Sequence, residues 1–349
     1  MDFSISKNNA ENLEELILLT ESYYKDVEIT NEDYLKWQYR ENPSGKPFLF
    51  TSREVKSNEL AGQYLVLPIH FLVNQEKILG TLSLNTLTNP KYQGKGLFTR
   101  MAKATYEDCE KNDAMMTIGF PNPNSYPGFV RKLNFDHLSD IPLLIKPLRP
   151  INMALSVLSR KKEKHGGDIA VSTLAKNNFR VLDLHDETDV KNYTDFWESV
   201  KNKYSVTTDK GSNFMKWRYF DIPTREYKSY VEEKDGEIAS IAIVRYEKVL
   251  GFKVAVLMDF MTLDSESGLR ILKYIKEVAG HNKMDFIASL HNKTYEYQLL
   301  KKSGFLKLPQ KLLPQKIHFI VRINKSFRDS DRVKDLSNWK ISFGDYDVF

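Results

Sequence analysis

The sequence predicts a tandem α/β protein, two similar halves that each combine strands with flanking helices. Three observations predict it. The chain has 349 residues, about twice the length of a common single domain. The segment YLKWQYRENP at 34–43 returns as FMKWRYFDIP at 214–223. The order of helix-period and strand-period segments is also the same on both sides of residue 180.

The repeat is specific. Tyr34 pairs with Phe214, Lys36 with Lys216, Trp37 with Trp217, Tyr39 with Tyr219 and Pro43 with Pro223. Tryptophan occurs only four times, so two in register indicate a duplication rather than chance. In the first half, 10–24 has helical spacing and 31–42 is a second helix capped by Thr30 or Asn31. Strands follow over 47–54, 59–74 and 78–88, then a helix over 96–112 and a buried apolar strand at 114–120. A short helix at 125–133 and a closing strand at 137–146 complete the unit. The second half repeats this with helices at 190–204 and 211–220, strands within 227–262, helix 267–279, strand 284–290, helix 294–303 and strand 316–323. These elements divide the chain into a first domain at 1–147, a linker at 148–178, a second domain at 179–325 and a tail at 326–349. Within the linker, INMALSVLS (151–159) reads as a short amphipathic helix packed on one of the domains.

Hydrophobic residues at 41% and charged residues at 28% exclude a disordered chain. The net charge of +5 is mild and its signs are interleaved, which suits an anionic small ligand and argues against a nucleic-acid partner. A single cysteine, Cys109, rules out a disulfide framework within the chain and reads as structural. The first residues lack a basic start and apolar run, and no apolar stretch reaches the roughly 18 residues of a membrane span. A cytoplasmic location is expected.

Chemistry concentrates in TNPKYQGKGLFTRM, 88–101. A strand that ends in a glycine turn and feeds a helix aims several backbone N–H groups at one point, where the helix dipole adds positive charge. Gly94 and Gly96 let backbone approach a phosphate, and Lys95 and Arg100 add cationic character. The spacing fits neither a P-loop nor a dinucleotide fingerprint.

This segment resembles the cofactor loop of the GNAT superfamily of acyl-CoA acyltransferases, with Gln93 and Gly96 on the matching positions and Phe98 departing from the small residue usual there. The Phe98 ring is expected to turn into the core. The resemblance implies an α/β (α+β) fold of two tandem GNAT-like domains, each a mixed, mostly antiparallel twisted sheet flanked by helices. It implies acetyl-CoA or another acyl-CoA as co-substrate, no metal, and an N-acetyltransferase or related acyltransferase activity. Cofactor contacts fall on Leu87, Thr88, Gln93, Gly94, Lys95, Gly96, Leu97, Phe98, Thr99 and Asn124. At the equivalent place the second half has LDSESGLRIL (263–272), whose acidic residues would repel a diphosphate.

Of the catalytic candidates, Tyr126 replaces the family's usual tyrosine, whose place is taken by Val130, and Asn85 can position a water or the acceptor. No general base is identifiable. His70 reads as a satisfied core histidine, and His137 is open between roles. In the resembling family the second helix borders the acceptor pocket, which puts Trp37 and Arg40 there. The recurrence of Trp37 as Trp217 favours core packing for it, and Arg40 and Lys46, which the repeat does not preserve, are the better acceptor candidates. Asp345 and Asp347 share one face of an extended tail. The leading reading is transfer to a small-molecule amine, an amino sugar or nucleotide sugar of surface-polysaccharide synthesis, with a homodimer left open. An aminoacyl-tRNA-dependent transferase of the peptidoglycan-bridge type and a non-catalytic binding protein stand as alternatives.

Overall fold

The computed structural model describes residues 1–24, 27–150, 166–313 and 315–346 of the chain. The helix expected at 151–159 and Asp347 lie outside the described residues. In the first half the strands are β1 (Phe3–Lys7), β2 (Phe48–Glu54), β3 (Leu60–Val73), β4 (Glu76–Thr88), β5 (Met116–Gly119), β6 (Asp136–Asp140) and β7 (Leu143–Pro147). The helices are α1 (Leu13–Glu21), α2 (Glu32–Arg40), α3 (Leu97–Lys111) and α4 (Tyr126–Lys132). The second half holds β8 (Gly166–Asp168), β9 (Phe179–Val181), β10 (Val206–Thr208), β11 (Lys228–Lys234), β12 (Glu237–Val249), β13 (Phe252–Thr262), β14 (Phe286–Leu290), β15 (Leu306–Lys307) and β16 (His318–Ile323). Its helices are α5 (Glu187–Val200), α6 (Ser212–Tyr219), α7 (Ser265–His281) and α8 (Tyr295–Lys302).

Two sheets result, each with eight strands among the described residues. The first runs β1-β2-β3-β4-β5-β16-β6 with β10 on the far end of β3, and the second runs β15-β7-β14-β13-β12-β11-β9 with β8 on β12. Among the strand pairs of the described residues, β4–β5 and β13–β14 are parallel and the others antiparallel, so both sheets are mixed and mostly antiparallel. The closing strands are exchanged. The stretch expected as one strand at 137–146 divides at Ile141–Pro142 into β6 and β7, and β7 crosses to the second sheet between β14 and β15. In return β16 inserts between β5 and β6 of the first. Proline cannot donate to a ladder, so the chain changes partners where Pro142 interrupts it.

Helix boundaries follow local chemistry. The Asn12 and Asn31 side chains accept from the Glu15 and Tyr34 amides and set the starts of α1 and α2. Buried Leu97, Met101, Ala102, Thr105, Tyr106 and Cys109 form the sheet-facing stripe of α3. The largest core cluster spans both halves. At its centre α2 meets α6, where Trp37 and Trp217 stack with ring centroids 4.7 Å apart. The tail returns across this seam: buried Lys340, Ser342 and Asp345 join Lys210 and Asp259, with Lys210 Nζ 2.5 Å from an Asp259 oxygen and Lys340 Nζ 3.1 Å from it. Asp345 is thus a buried partner of Lys210 at 3.2 Å rather than a surface acid.

Candidate active site

Strand β4 carries the geometry that opens the site. Its register against β3 slips between Gln63 and Leu65, so that Asn85 and Thr86 form a bulge, with Asn85 at a φ of +49°. Its pairing with β5 ends at Ser83 and Gly119, so beyond that point no strand among the described residues lies beside the β5-facing edge of β4. Leu84 to Thr88 turn this free edge to a cavity of about 790 Å³.

The loop after β4 is built from its own side chains. Asn89 accepts from the Lys91 amide, and the buried Tyr92 hydroxyl donates to Glu59, which anchors the turn to β3. Gly94 and Gly96 sit at φ of +74° and +72°, where a side chain is strained, and neither Cα has an atom within 4 Å of where a Cβ would stand. Gly96 is the N-cap of α3 and no side chain caps it. The first intrahelical bond to Gly96 comes from Arg100, which leaves the N–H groups of Leu97, Phe98 and Thr99 ahead of it. Uncapped amides, open space over the glycines and a helix N-terminus fit a diphosphate. The Phe98 ring lies edge-on to Tyr64 and Phe129, partly buried against the core and lining the cavity, and leaves the space over Gly94 and Gly96 open.

The second half closes the same feature. The Asp264 carboxylate caps α7 and accepts from the Ser267 amide at 2.8 Å and its hydroxyl at 3.0 Å. Burial opposes ionisation of Asp264, but these bonds outweigh it and hold the group below the usual carboxylate range. A Cβ on Gly268 would meet Leu299 and Thr262 at 2.8 and 2.9 Å, so no ligand approaches there.

The cavity brings together Asn85, Leu87, Thr88, Gln93, Gly94, Lys95, Gly96, Leu97, Phe98, Thr99 and Asn124. Three candidates lie elsewhere. Tyr126 opens α4 but stacks on His318, ring centroids 4.2 Å apart, and does not line the cavity. Trp37 is buried between the halves, its indole held by the Trp217 carbonyl. Arg40 donates to the carbonyls of Ala10 and Glu11, at 3.1 and 2.9 Å, and anchors the start of α1. Arg100 likewise turns to the Phe3 carbonyl at 3.1 Å. Asn85 lines the cavity, but its amide donates to Gln38 and the Tyr39 hydroxyl, at 2.8 and 2.9 Å, so it shapes the bulge. His70 is satisfied by Ser44 at 3.1 Å.

The far end of the cavity was not read from the sequence. Tyr23, Tyr24, Glu28 and Tyr34 come from the first half, and Arg225 reaches in from the second. Arg225 Nε donates to a Glu28 oxygen at 2.8 Å and its Nη2 to the other, and Thr224 also donates to Glu28. The separation of 197 positions between Glu28 and Arg225 hides this pair from any local motif.

Residues 5–138 match the family model described as an acetyltransferase (GNAT) domain. None of the curated proteins matches the sequence. Solved structures do match in fold. The N-myristoyltransferase of Saccharomyces cerevisiae with bound myristoyl-CoA is 13% identical with a TM-score of 0.62, over 94% of this chain and 84% of that one. A probable N-acyltransferase from Enterococcus faecalis is 11% identical with a TM-score of 0.62, over 93% and 73%. A GCN5-related N-acetyltransferase from Anabaena variabilis is 14% identical with a TM-score of 0.63, over 93% and 73%. No described helix is long and apolar enough to cross a membrane. Residues 5–138 thus match an acetyltransferase (GNAT) domain, and the chain as a whole has the tandem GNAT-like fold.

Proposed function

We propose that the chain moves an acetyl or other acyl group from acyl-CoA to the amine of a small acceptor, an amino sugar or nucleotide-linked amino sugar of surface-polysaccharide synthesis. The observation that carries the cofactor half is the uncapped start of α3 behind Gly94 and Gly96, opposite its carboxylate-capped counterpart in the second half. Main-chain N–H groups of Leu97, Phe98 and Thr99 hold the diphosphate, and Gln93 to Gly96 wrap it. The thioester supplies the activated acyl group. The free edge of β4 beyond Ser83 receives the pantetheine arm by backbone hydrogen bonds, and Asn124 faces it from the opposite wall. Alignment of the two reactants in this cleft supplies the acceleration.

The acceptor enters by the far end. Tyr23 and Tyr24, 45% and 41% exposed, offer flat amphipathic faces of the kind that pack on sugar rings. The Glu28–Arg225 ion pair gives this end of the cavity a polar wall with no net charge.

The test is calorimetric titration with CoA, followed by thiol release from acetyl-CoA across a panel of amino sugars and nucleotide amino sugars. Stoichiometric CoA binding with thiol release for one of them is the expected outcome. Absence of CoA binding removes the cofactor assignment. Binding with release only for non-sugar amines retains the transferase and removes the sugar.

A further inference from the structure

Away from the cavity, β6 and the exchanged strand β16 bring His137, Asp140 and His318 to one spot. We propose that these three side chains form a binding site for a divalent transition ion of the zinc class, joining the two halves of the chain. One potential ligand atom from each lies within 4.8 Å of the others. Asp140 Oδ1 is 2.6 Å from His318 Nδ1 and 3.3 Å from His137 Nε2. Donors around a tetrahedral zinc with bonds of about 2.0–2.1 Å sit roughly 3.3 Å apart, so small side-chain movements suffice. Two imidazoles and one carboxylate select zinc, cobalt or nickel over magnesium or calcium, and leave a coordination position for water.

The backbone is arranged for this convergence. Residues 137 and 140 are three apart and would point to opposite faces of a regular strand. A bulge corrects this: Ser139 pairs with Phe319 and His137 with Ile320, which leaves Leu138 as the extra residue and turns both side chains the same way. The rings are also fixed. Tyr126 stacks on His318 at 26° and meets His137 edge-on, centroids 5.4 Å apart. Gln310 Nε2 at 3.3 Å and Lys316 Nζ at 3.5 Å engage Asp140 Oδ2, which aims Oδ1 at the imidazoles. Lys316 opposes a cation, but it sits on the carboxylate oxygen away from the histidines.

The test uses the full chain and the metal alone. Zn²⁺ is titrated calorimetrically, and Co²⁺ is added as a visible-absorption probe. One ion per chain, a Co²⁺ spectrum of low coordination number and a rise in thermal midpoint are expected. Asp140→Asn and His318→Asn each reduce affinity by at least about tenfold. If either fails to fold, His137→Asn decides, because His137 is the exposed member and its replacement disturbs packing least. Absence of stoichiometric binding, or binding and midpoint shift unchanged in His137→Asn, overturns the site.

Discussion

The indole N–H of Trp37 donates to the carbonyl of Trp217 at 2.7 Å, and the indole N–H of Trp217 donates back to the carbonyl of Trp37 at 3.0 Å. Two residues in register in the duplicated sequence therefore recognise each other across the seam between the halves, with their rings stacked at 14°. The pair explains its own recurrence: each tryptophan is the other's hydrogen-bonding and packing partner.

Replacing either ring with alanine should cost about 3–5 kcal/mol, because it leaves a cavity and takes the donor from the partner's buried backbone carbonyl. The double replacement should cost less than the sum of the singles, since the second change removes a partner already lost. Denaturant midpoints of the four proteins of the cycle measure this. Additive losses would mean that the stack contributes nothing of its own.

Gly96→Glu should abolish CoA binding without unfolding the protein. The site has room for a side chain, so the change adds backbone strain of about 1–2 kcal/mol and a carboxylate where the diphosphate binds. Gly96→Ala carries the strain without the charge and should retain measurable binding. Calorimetry with thermal melting separates the two effects.

Phe98→Leu should leave CoA affinity within about twofold and lower stability by about 1 kcal/mol. The ring contributes packing against Tyr64 and Phe129, and the binding group at that position is its N–H. A large loss of affinity with an unchanged melting temperature would reverse this assignment.

His291 gives the stability a pH signature. It is fully buried, neither ring nitrogen has a hydrogen-bond partner among the described residues, and burial together with Lys340 and Lys210 holds it well below the usual imidazole range, against the opposing pull of Asp259. The unfolded chain therefore binds a proton near pH 6.5 that the folded chain refuses. Stability should fall as pH drops below about 6.5, with a slope from this group of at most about 1.4 kcal/mol per pH unit. His70, also depressed by burial, adds in the same direction. In His291→Leu the slope between pH 6.5 and 5 should flatten by this amount, as unfolding midpoints across that range would show.

The features legible in the sequence were local or repeated. The duplication showed through tryptophan, tyrosine and proline in register, and the loop at 88–101 showed because strand, glycine turn and helix are contiguous. Destinations set by distant partners did not show. Tyr126 reads as a cavity residue until His318, 192 positions later, takes its ring. Arg225 belongs to the cavity because Glu28 draws it there. Apolar alternation at 137–146 and 316–323 identifies strands but says nothing about which sheet each joins, because both sheets offer an apolar face of the same kind.

That exchange of closing strands has a consequence for how the protein is made. The first sheet has a gap between β5 and β6 until residues 318–323 arrive. A ribosome has therefore translated more than nine-tenths of the 349 residues before the amino-terminal sheet can close. Nascent chains halted earlier hold open edges of hydrogen-bonding groups, and folding waits on a contact of long sequence separation. Expressed alone, the GNAT domain at 5–138 lacks one of its inner strands.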